Sequence, residues 1–263
     1  LEPLLQLKFG IHRKSFPLDR RETGTRVRLR FENEYALLTG EWRDVEGFGS
    51  VLSLSLTNVA QESIRATRLI FPAQGGINSY ARHIRPRDVC FFRNGYQSWS
   101  TARSYTAKDK PLRPWLQLVS LANSNLANLP SNIPGIFSSE MYAVITNRGN
   151  DDAFLVGQGP PFDQFFYIRL NLYEKDPQKS YFELTYDFGR KLIMPGETIR
   201  LGTIHIAKGR THELIHRYFR EIRDRGAARV PTANVTGWCS WYYYYTKITP
   251  GIIEQNLEAL KRA

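Results

Sequence analysis

At 263 residues, with 42% hydrophobic and 13% aromatic side chains, the chain carries enough apolar material to bury a core, which excludes a disordered protein. The formal charge of +11 invites a polyanionic partner, but the 36 basic residues are scattered, so no nucleic-acid partner is expected. No apolar run approaches the ~20 residues of a membrane span, so no membrane partner is expected either.

The densest basic stretch, DRRETGTRVRLRFENE, alternates Arg26, Arg28 and Arg30 with Val27, Leu29 and Phe31. That puts the arginines on one face of a strand, read as the solvated face of a half-buried sheet. RVRLRFENEYALLTGEW is expected to turn at Gly40. GSVLSLSLTN sets Leu52, Leu54 and Leu56 opposite Val51, Ser53 and Ser55. IRATRLIFP reads as a strand ending at its proline, and DVCFFRNGYQSWS holds an Asn-Gly turn pair. PWLQLVSLANSNLANLPSNIPG, rich in Asn, Ser and Pro, reads as a long ordered loop with or without a helical turn. EMYAVITNRGNDDAFLVGQG is a hairpin around the turn cluster 147–152, and FFYIRLNLY, SYFELTYDF and TIRLGTIHIA continue the series. Many short strands with no helix between them predict a mainly β fold, a large antiparallel sandwich.

RTHELIHRYFREIRDRGAAR is the first helix. Thr211 is its expected cap, Leu214, Ile215, Tyr218, Phe219 and Ile222 its apolar face, and Gly226 lies just past its end. After the connector VPTANV, VTGWCSWYYYY reads as a strand and ITPGIIEQNLEALKRA as a helix with Thr249 as N-cap and Pro250 first. Alternation in that strand sends Trp238, Ser240, Tyr242 and Tyr244 one way, and Cys239, Trp241, Tyr243 and Tyr245 the other. A lone strand and helix cannot bury both their faces, so this is expected to be the first unit of a larger α/β domain. The expected division is a β-domain at 1–208, a connecting helix and linker at 209–233, and the strand–helix unit at 234–263.

Two distant cysteines, Cys90 and Cys239, form neither a disulfide framework nor a zinc spacing; a reducing, cytoplasmic location is the simplest expectation, a single disulfide the alternative. His212 and His216 stand at i and i+4, but no third ligand is near, so they read as surface residues and no metal is expected. Asp151 and Asp152 lie in a turn, where aspartate bonds its own backbone. No pair of carboxylates suited to acid–base work is assigned. What remains is aromatic. NGYQSWS places Tyr96, Gln97 and Trp99 after the Asn-Gly pair. Flat rings beside amides suit a sugar, whose C–H face stacks while its hydroxyls need polar partners; cross-strand aromatic pairs in a hairpin are the other reading.

NGYQSWS followed about 140 residues later by TGWCSWYYYYTKIT resembles glycoside hydrolase family 36, the α-galactosidase group of the melibiase clan. SSEMYAVIT, FLVGQG and MPGETIRLGTIHI are weaker echoes between the two motifs, so the resemblance covers most of the chain beyond its first 80 or so residues. It implies a β-supersandwich, a connecting helix and then a (β/α)8 barrel, of which 234–263 would be the first strand and helix. It implies a retaining hydrolase acting on terminal α-galactosides such as melibiose or raffinose-type sugars, with no cofactor. The two catalytic aspartates of such an enzyme stand about 5–5.5 Å apart and close barrel strands 4 and 6. They are expected downstream, so no residue of this chain is assigned as catalytic and the chain alone is expected to be inactive. The resemblance carries over Trp99 and Trp241 as substrate contacts; Tyr244 joins them, and Gln97 is either a polar helper or a residue that packs the hairpin. Tyr96 stands where some relatives carry tryptophan, which bears on subsite detail. An α-N-acetylgalactosaminidase, a raffinose-synthase-type transferase, or a non-catalytic carbohydrate-binding or oligomerisation module are the alternatives, and a homo-oligomer is one assembly such a β-domain could support.

Overall fold

The computed structural model describes residues 5–9, 12–16, 18–23, 26–74, 86–110, 125–172, 181–232, 234 and 237–262. The first half of the long loop, 114–124, and parts of the connector before Trp238 lie outside the described residues. The strands begin with β1 (Leu5–Phe9), β2 (His12–Phe16), β3 (Leu18–Thr23), β4 (Arg26–Glu32), β5 (Ala36–Val45) and β6 (Gly49–Asn58). Next come β7 (Ile64–Gln74), β8 (Val89–Arg93), β9 (Arg103–Thr106), β10 (Ile136–Glu140) and β11 (Tyr142–Asn147). The series ends with β12 (Asp152–Gly159), β13 (Phe165–Asn171), β14 (Tyr181–Ile193), β15 (Thr198–Arg200) and β16 (Thr203–Arg210). Helices α1 (Thr211–Arg225), α2 (Trp241–Tyr244) and α3 (Pro250–Arg262) follow.

Two antiparallel sheets result. One has the order β10-β13-β14-β7-β1-β2; the other runs β3-β4-β5-β6-β16-β12-β11-β8-β9, with β15 paired to β6. Their inner faces share one core, in which Leu52, Leu54 and Leu56 from one sheet meet Leu69, Ile168 and Leu184 from the other. This is the antiparallel β-sandwich that the strand pattern predicts. Each such side chain, once fully buried, contributes roughly 1.5–3 kcal/mol.

A second apolar layer lies on the outer face of the larger sheet. Val51, Val144, Leu155 and Ala207 pack there against Leu214 and Tyr218 of α1. The period of two therefore sorts residues between two interiors: Phe154 and Val156 face the sandwich core, while Ala153 and Leu155 face the helix. On α1 itself Ile215 and Ile222 are half-buried, and Phe219 is 44% exposed with its ring edge-on to Tyr142.

Several local expectations are corrected. The turn before β5 falls at Asn33–Tyr35, where Asn33 Oδ1 accepts the N–H groups of Tyr35 (2.9 Å) and Ala36 (2.8 Å). Gly40 lies inside β5, opposite Leu54, because a glycine in a strand also relieves crowding: a Cβ there would stand 3.0 Å from Leu54 Cδ2. Strand β7 runs past Pro72 to Gln74. Its described pairing with β1 stops at Ile70, while Pro72 itself stands opposite Glu183 of β14. Helix α1 is preceded by Arg210, and Thr211 does not cap it. The Thr211 hydroxyl instead meets Thr146 Oγ1 at 3.0 Å and Asp151 Oδ1 at 3.4 Å. Gly226 does close α1, donating its N–H to Ile222 O at 2.8 Å.

The chain divides into two compact units, 1–228 and 229–263. Helix α1 falls in the first. In the second, the described residues of VTGWCSWYYYY do not form the expected strand; Trp241–Tyr244 forms one helical turn, followed by a tighter turn at Tyr245–Lys247. The segment has no neighbouring strand among the described residues, so its backbone groups find partners locally. Tyr244 N–H bonds Ser240 O at 2.9 Å. Helix α3 starts as expected, with Ile252 N–H on Thr249 Oγ1 at 3.3 Å. Its Ile253, Leu257 and Leu260 remain 41–52% exposed.

Candidate functional site

Strands β8 and β9 form a hairpin whose register ends at the pair Arg93 and Arg103, leaving residues 94–102 as its loop. Asn94 fixes the base of that loop. Its N–H donates to Ser139 Oγ (2.8 Å) and its Nδ2 to Glu140 O (3.0 Å), while Glu140 N–H returns a bond to Asn94 O (3.2 Å). Gly95 then passes so close to Ser100 that a Cβ would stand 2.7 Å from the serine Cβ. Gln97 and Ser100 close the tip reciprocally: Gln97 N–H donates to Ser100 Oγ (3.2 Å) and Ser100 N–H to Gln97 O (2.8 Å).

Gln97 is thus part of the loop's own scaffold. Its Oε1 accepts the Trp99 N–H at 2.9 Å and the Ser98 hydroxyl at 3.3 Å. Of the two accounts of Gln97, the bonds to its side-chain oxygen are those of hairpin packing. Trp99 is consequently presented with 71% of its surface exposed, and Tyr96, 38% exposed, packs near Phe165 at 6.0 Å between ring centres. The cross-strand aromatic pair of this hairpin is Phe91 with Tyr105, buried in the core; Tyr96 and Trp99 lie beyond it in the loop.

Beneath the loop lies a polar cluster that sequence reading did not single out. Glu140, 6% exposed, receives Asn128 Nδ2 at 2.9 Å and Asn125 Nδ2 at 3.4 Å. Burial raises the Glu140 pKa above the usual carboxylate range, opposed by the two asparagines and by the charges of Arg93 and Arg169. Arg169 in turn donates to Asn128 Oδ1 (3.1 Å) and Ala127 O (2.7 Å), tying the Leu126–Asn128 turn to β13. The Tyr167 hydroxyl is buried without a hydrogen-bond partner, and burial pushes its pKa up to about 12. The one sequence signal was a glutamate inside the strand-like SSEMYAVIT; its partners come from segments 12 to 47 positions away, which no local period links to it.

Trp241 and Tyr244 belong to the second unit, in α2. A helical turn replaces the strand alternation that would oppose them, so at i and i+3 they share a face. Trp241 is 48% exposed and edge-on to Tyr245 at 5.6 Å. Tyr244 packs near Trp238 at 6.1 Å, and its hydroxyl accepts Asn256 Nδ2 at 3.2 Å, so α3 orients it. His212 and His216 are exposed, Cys90 and Cys239 are free thiols, and no group of metal-ligating residues gathers among the described residues. No described helix is long and apolar enough to cross a membrane.

No family model matches the sequence, and no curated protein does. Among solved structures, the chain is similar to the GH36 α-galactosidase AgaA from Geobacillus stearothermophilus, with 9% identity and a TM-score of 0.44 over 84% of this chain and 32% of that one. It is similar to the α-N-acetylgalactosaminidase NagBb from Bifidobacterium bifidum, with 14% identity and a TM-score of 0.48 over 86% and 34%. A putative aldose 1-epimerase from Klebsiella pneumoniae gives 11% and 0.44 over 80% and 58%. The chain spans about a third of the length of the two glycosidases.

Proposed function

We infer that this chain is the N-terminal portion of an α-galactosidase-like retaining glycoside hydrolase, with the catalytic aspartates downstream and Trp99, Trp241 and Tyr244 as sugar contacts. The observation that carries the reading is the presentation of Trp99. An indole left 71% exposed by a loop braced through Asn94, Gln97 and Ser100 is a ring held out for a ligand. Its apolar face suits the C–H face of a pyranose. The paired motifs NGYQSWS and GWCSWYYYY support the family, and an exposed surface tryptophan agrees with it. On this reading the β-domain is scaffold and one wall of the pocket, and bond cleavage belongs to residues outside the chain.

The same exposure favours a second reading, a sugar-binding module that needs no barrel. One pair of measurements separates them. The whole reading frame containing this chain is assayed on an aryl α-galactoside, and residues 1–263 are titrated with galactose while Trp fluorescence and melting temperature are followed. The enzyme reading expects hydrolysis by the whole protein, kcat/KM down by about 10-fold or more in Trp99→Ala, and little response from the isolated chain. A galactose response of residues 1–263 that Trp99→Ala abolishes, with no hydrolysis by the whole protein, supports the module and overturns the enzyme.

A further inference from the structure

A groove of about 520 Å³ opens where the β5–β6 turn folds against β16 and α1, within the first unit and apart from the Trp99 loop. Its size falls in the range of small-molecule sites. The turn that builds it is specified locally: Phe48 N–H bonds Val45 O at 3.1 Å, and Gly47 takes a left-handed φ of 71°. Gly49 (φ 147°) passes so close to β16 that a Cβ would stand 3.0 Å from Ala207 Cα, so only glycine brings Phe48 and Ser50 to this wall.

The chemistry of the lining is one-sided. Half-buried Trp42 and the buried Phe48 ring supply apolar surface. Lys208 and Arg217 supply two positive charges, and none of the described lining residues is acidic. Arg217 is held in place by one bond, from Nη2 to Lys208 O at 2.8 Å, while its buried Nε has no hydrogen-bond partner. Ser50 donates its hydroxyl proton to Asp44 Oδ1 at 2.6 Å, which leaves the serine oxygen free to accept. The Asp44 carboxylate repels an anion on that side, so a negative group is directed toward Lys208 and Arg217.

We propose that this groove binds a hexose carrying an anionic group, a carboxylate or a phosphate. The anion pairs with Lys208 and Arg217 through charge-assisted bonds, the pyranose C–H face lies on Trp42, and a sugar hydroxyl donates to Ser50 Oγ. The site does not rest on the assignment of Trp99, and its ligand is charged where that of the Trp99 loop is neutral.

The test is calorimetric titration of the chain with galacturonate, galactose 6-phosphate, galactose and inorganic phosphate, with Trp fluorescence read in parallel. At least one charged sugar is expected to bind about 10-fold or more tightly than both galactose and phosphate. Which of the two charged sugars binds tells a carboxylate ligand from a phosphate one. Lys208→Gln, whose exposed side chain is removable without harm to the fold, is expected to weaken that binding several-fold, and the double variant with Arg217→Gln to remove it. Trp42→Phe is expected to lose most of the fluorescence change, and Trp99→Ala to leave binding intact. No binding of either charged sugar at about 10 mM, equal binding of galactose or phosphate, or full binding by the Lys208→Gln/Arg217→Gln protein each overturns the proposal.

Discussion

The Tyr218 hydroxyl donates to the Gln158 carbonyl at 2.6 Å while its ring lies against Gly157 of the same strand. One side chain of α1 therefore both fills the outer apolar layer and satisfies a buried carbonyl of β12. A Cβ at Gly157 would stand 2.6 Å from Tyr218 Cζ, so the glycine is what lets the ring lie there. Gly157→Ala is expected to lower stability by about 1–3 kcal/mol through overpacking. Tyr218→Phe, which keeps the ring and loses one buried bond, is expected to lower it by about 1 kcal/mol. Urea midpoints measure both, and an unchanged midpoint for Gly157→Ala would mean that the helix yields without cost.

His205 sits in the same layer, edge-on to Phe48 at 5.3 Å and to Tyr218 at 6.1 Å, with Nε2 2.8 Å from Thr203 Oγ1. Burial first, then the charges of Arg225 and Arg43, depress its pKa to about 4. The fold thus favours the neutral ring, whereas the unfolded chain takes up a proton below about 6.5. The resulting stability is fully present above pH ~6.5 and is lost as the pH falls toward about 4, with a size of about 3 kcal/mol. Stability measured from pH 7 to 4 should fall less steeply in His205→Gln than in the parent, and parallel curves would refute the assignment.

Gln97 holds Trp99 through a side-chain oxygen that accepts the Trp99 N–H. Gln97→Ala should cost under about 1.5 kcal/mol in this exposed loop but weaken the near-ultraviolet circular dichroism of the ring. Gln97→Glu keeps an acceptor at that place and should restore the signal. A spectrum indifferent to both changes would show that the loop orders itself without Gln97.

Asn128 links Glu140 and Arg169, donating to one and accepting from the other. Asn128→Ala leaves a buried carboxyl and a guanidinium each short of a partner, a loss of roughly 3 kcal/mol. Asp163→Ala, at an exposed position before β13, should stay within about 0.5 kcal/mol and serves as the control. If the two variants unfold alike, the cluster under the Trp99 loop does not brace it.

Much of the β-domain was legible because its signals are local. The alternation of Val51–Leu56, the turn cluster at 147–152 and the apolar face of α1 each report backbone state within a few residues. The candidate site was legible only as residue types: Tyr96, Gln97 and Trp99 stood out, but whether Gln97 faces a ligand or its own backbone depends on the fold of the loop. Tertiary structure decided three further things. It placed Val51 under α1 rather than in solvent, since a helix 160 residues later covers that face. It gathered Glu140, Asn128 and Arg169 into one buried cluster from three separate segments. It also turned Trp241–Tyr244 into a helical turn, because a strand exists only where another strand supplies its hydrogen bonds. Periodicity is written along the chain; the partner that completes a buried face, a charge pair or a ladder is supplied from elsewhere.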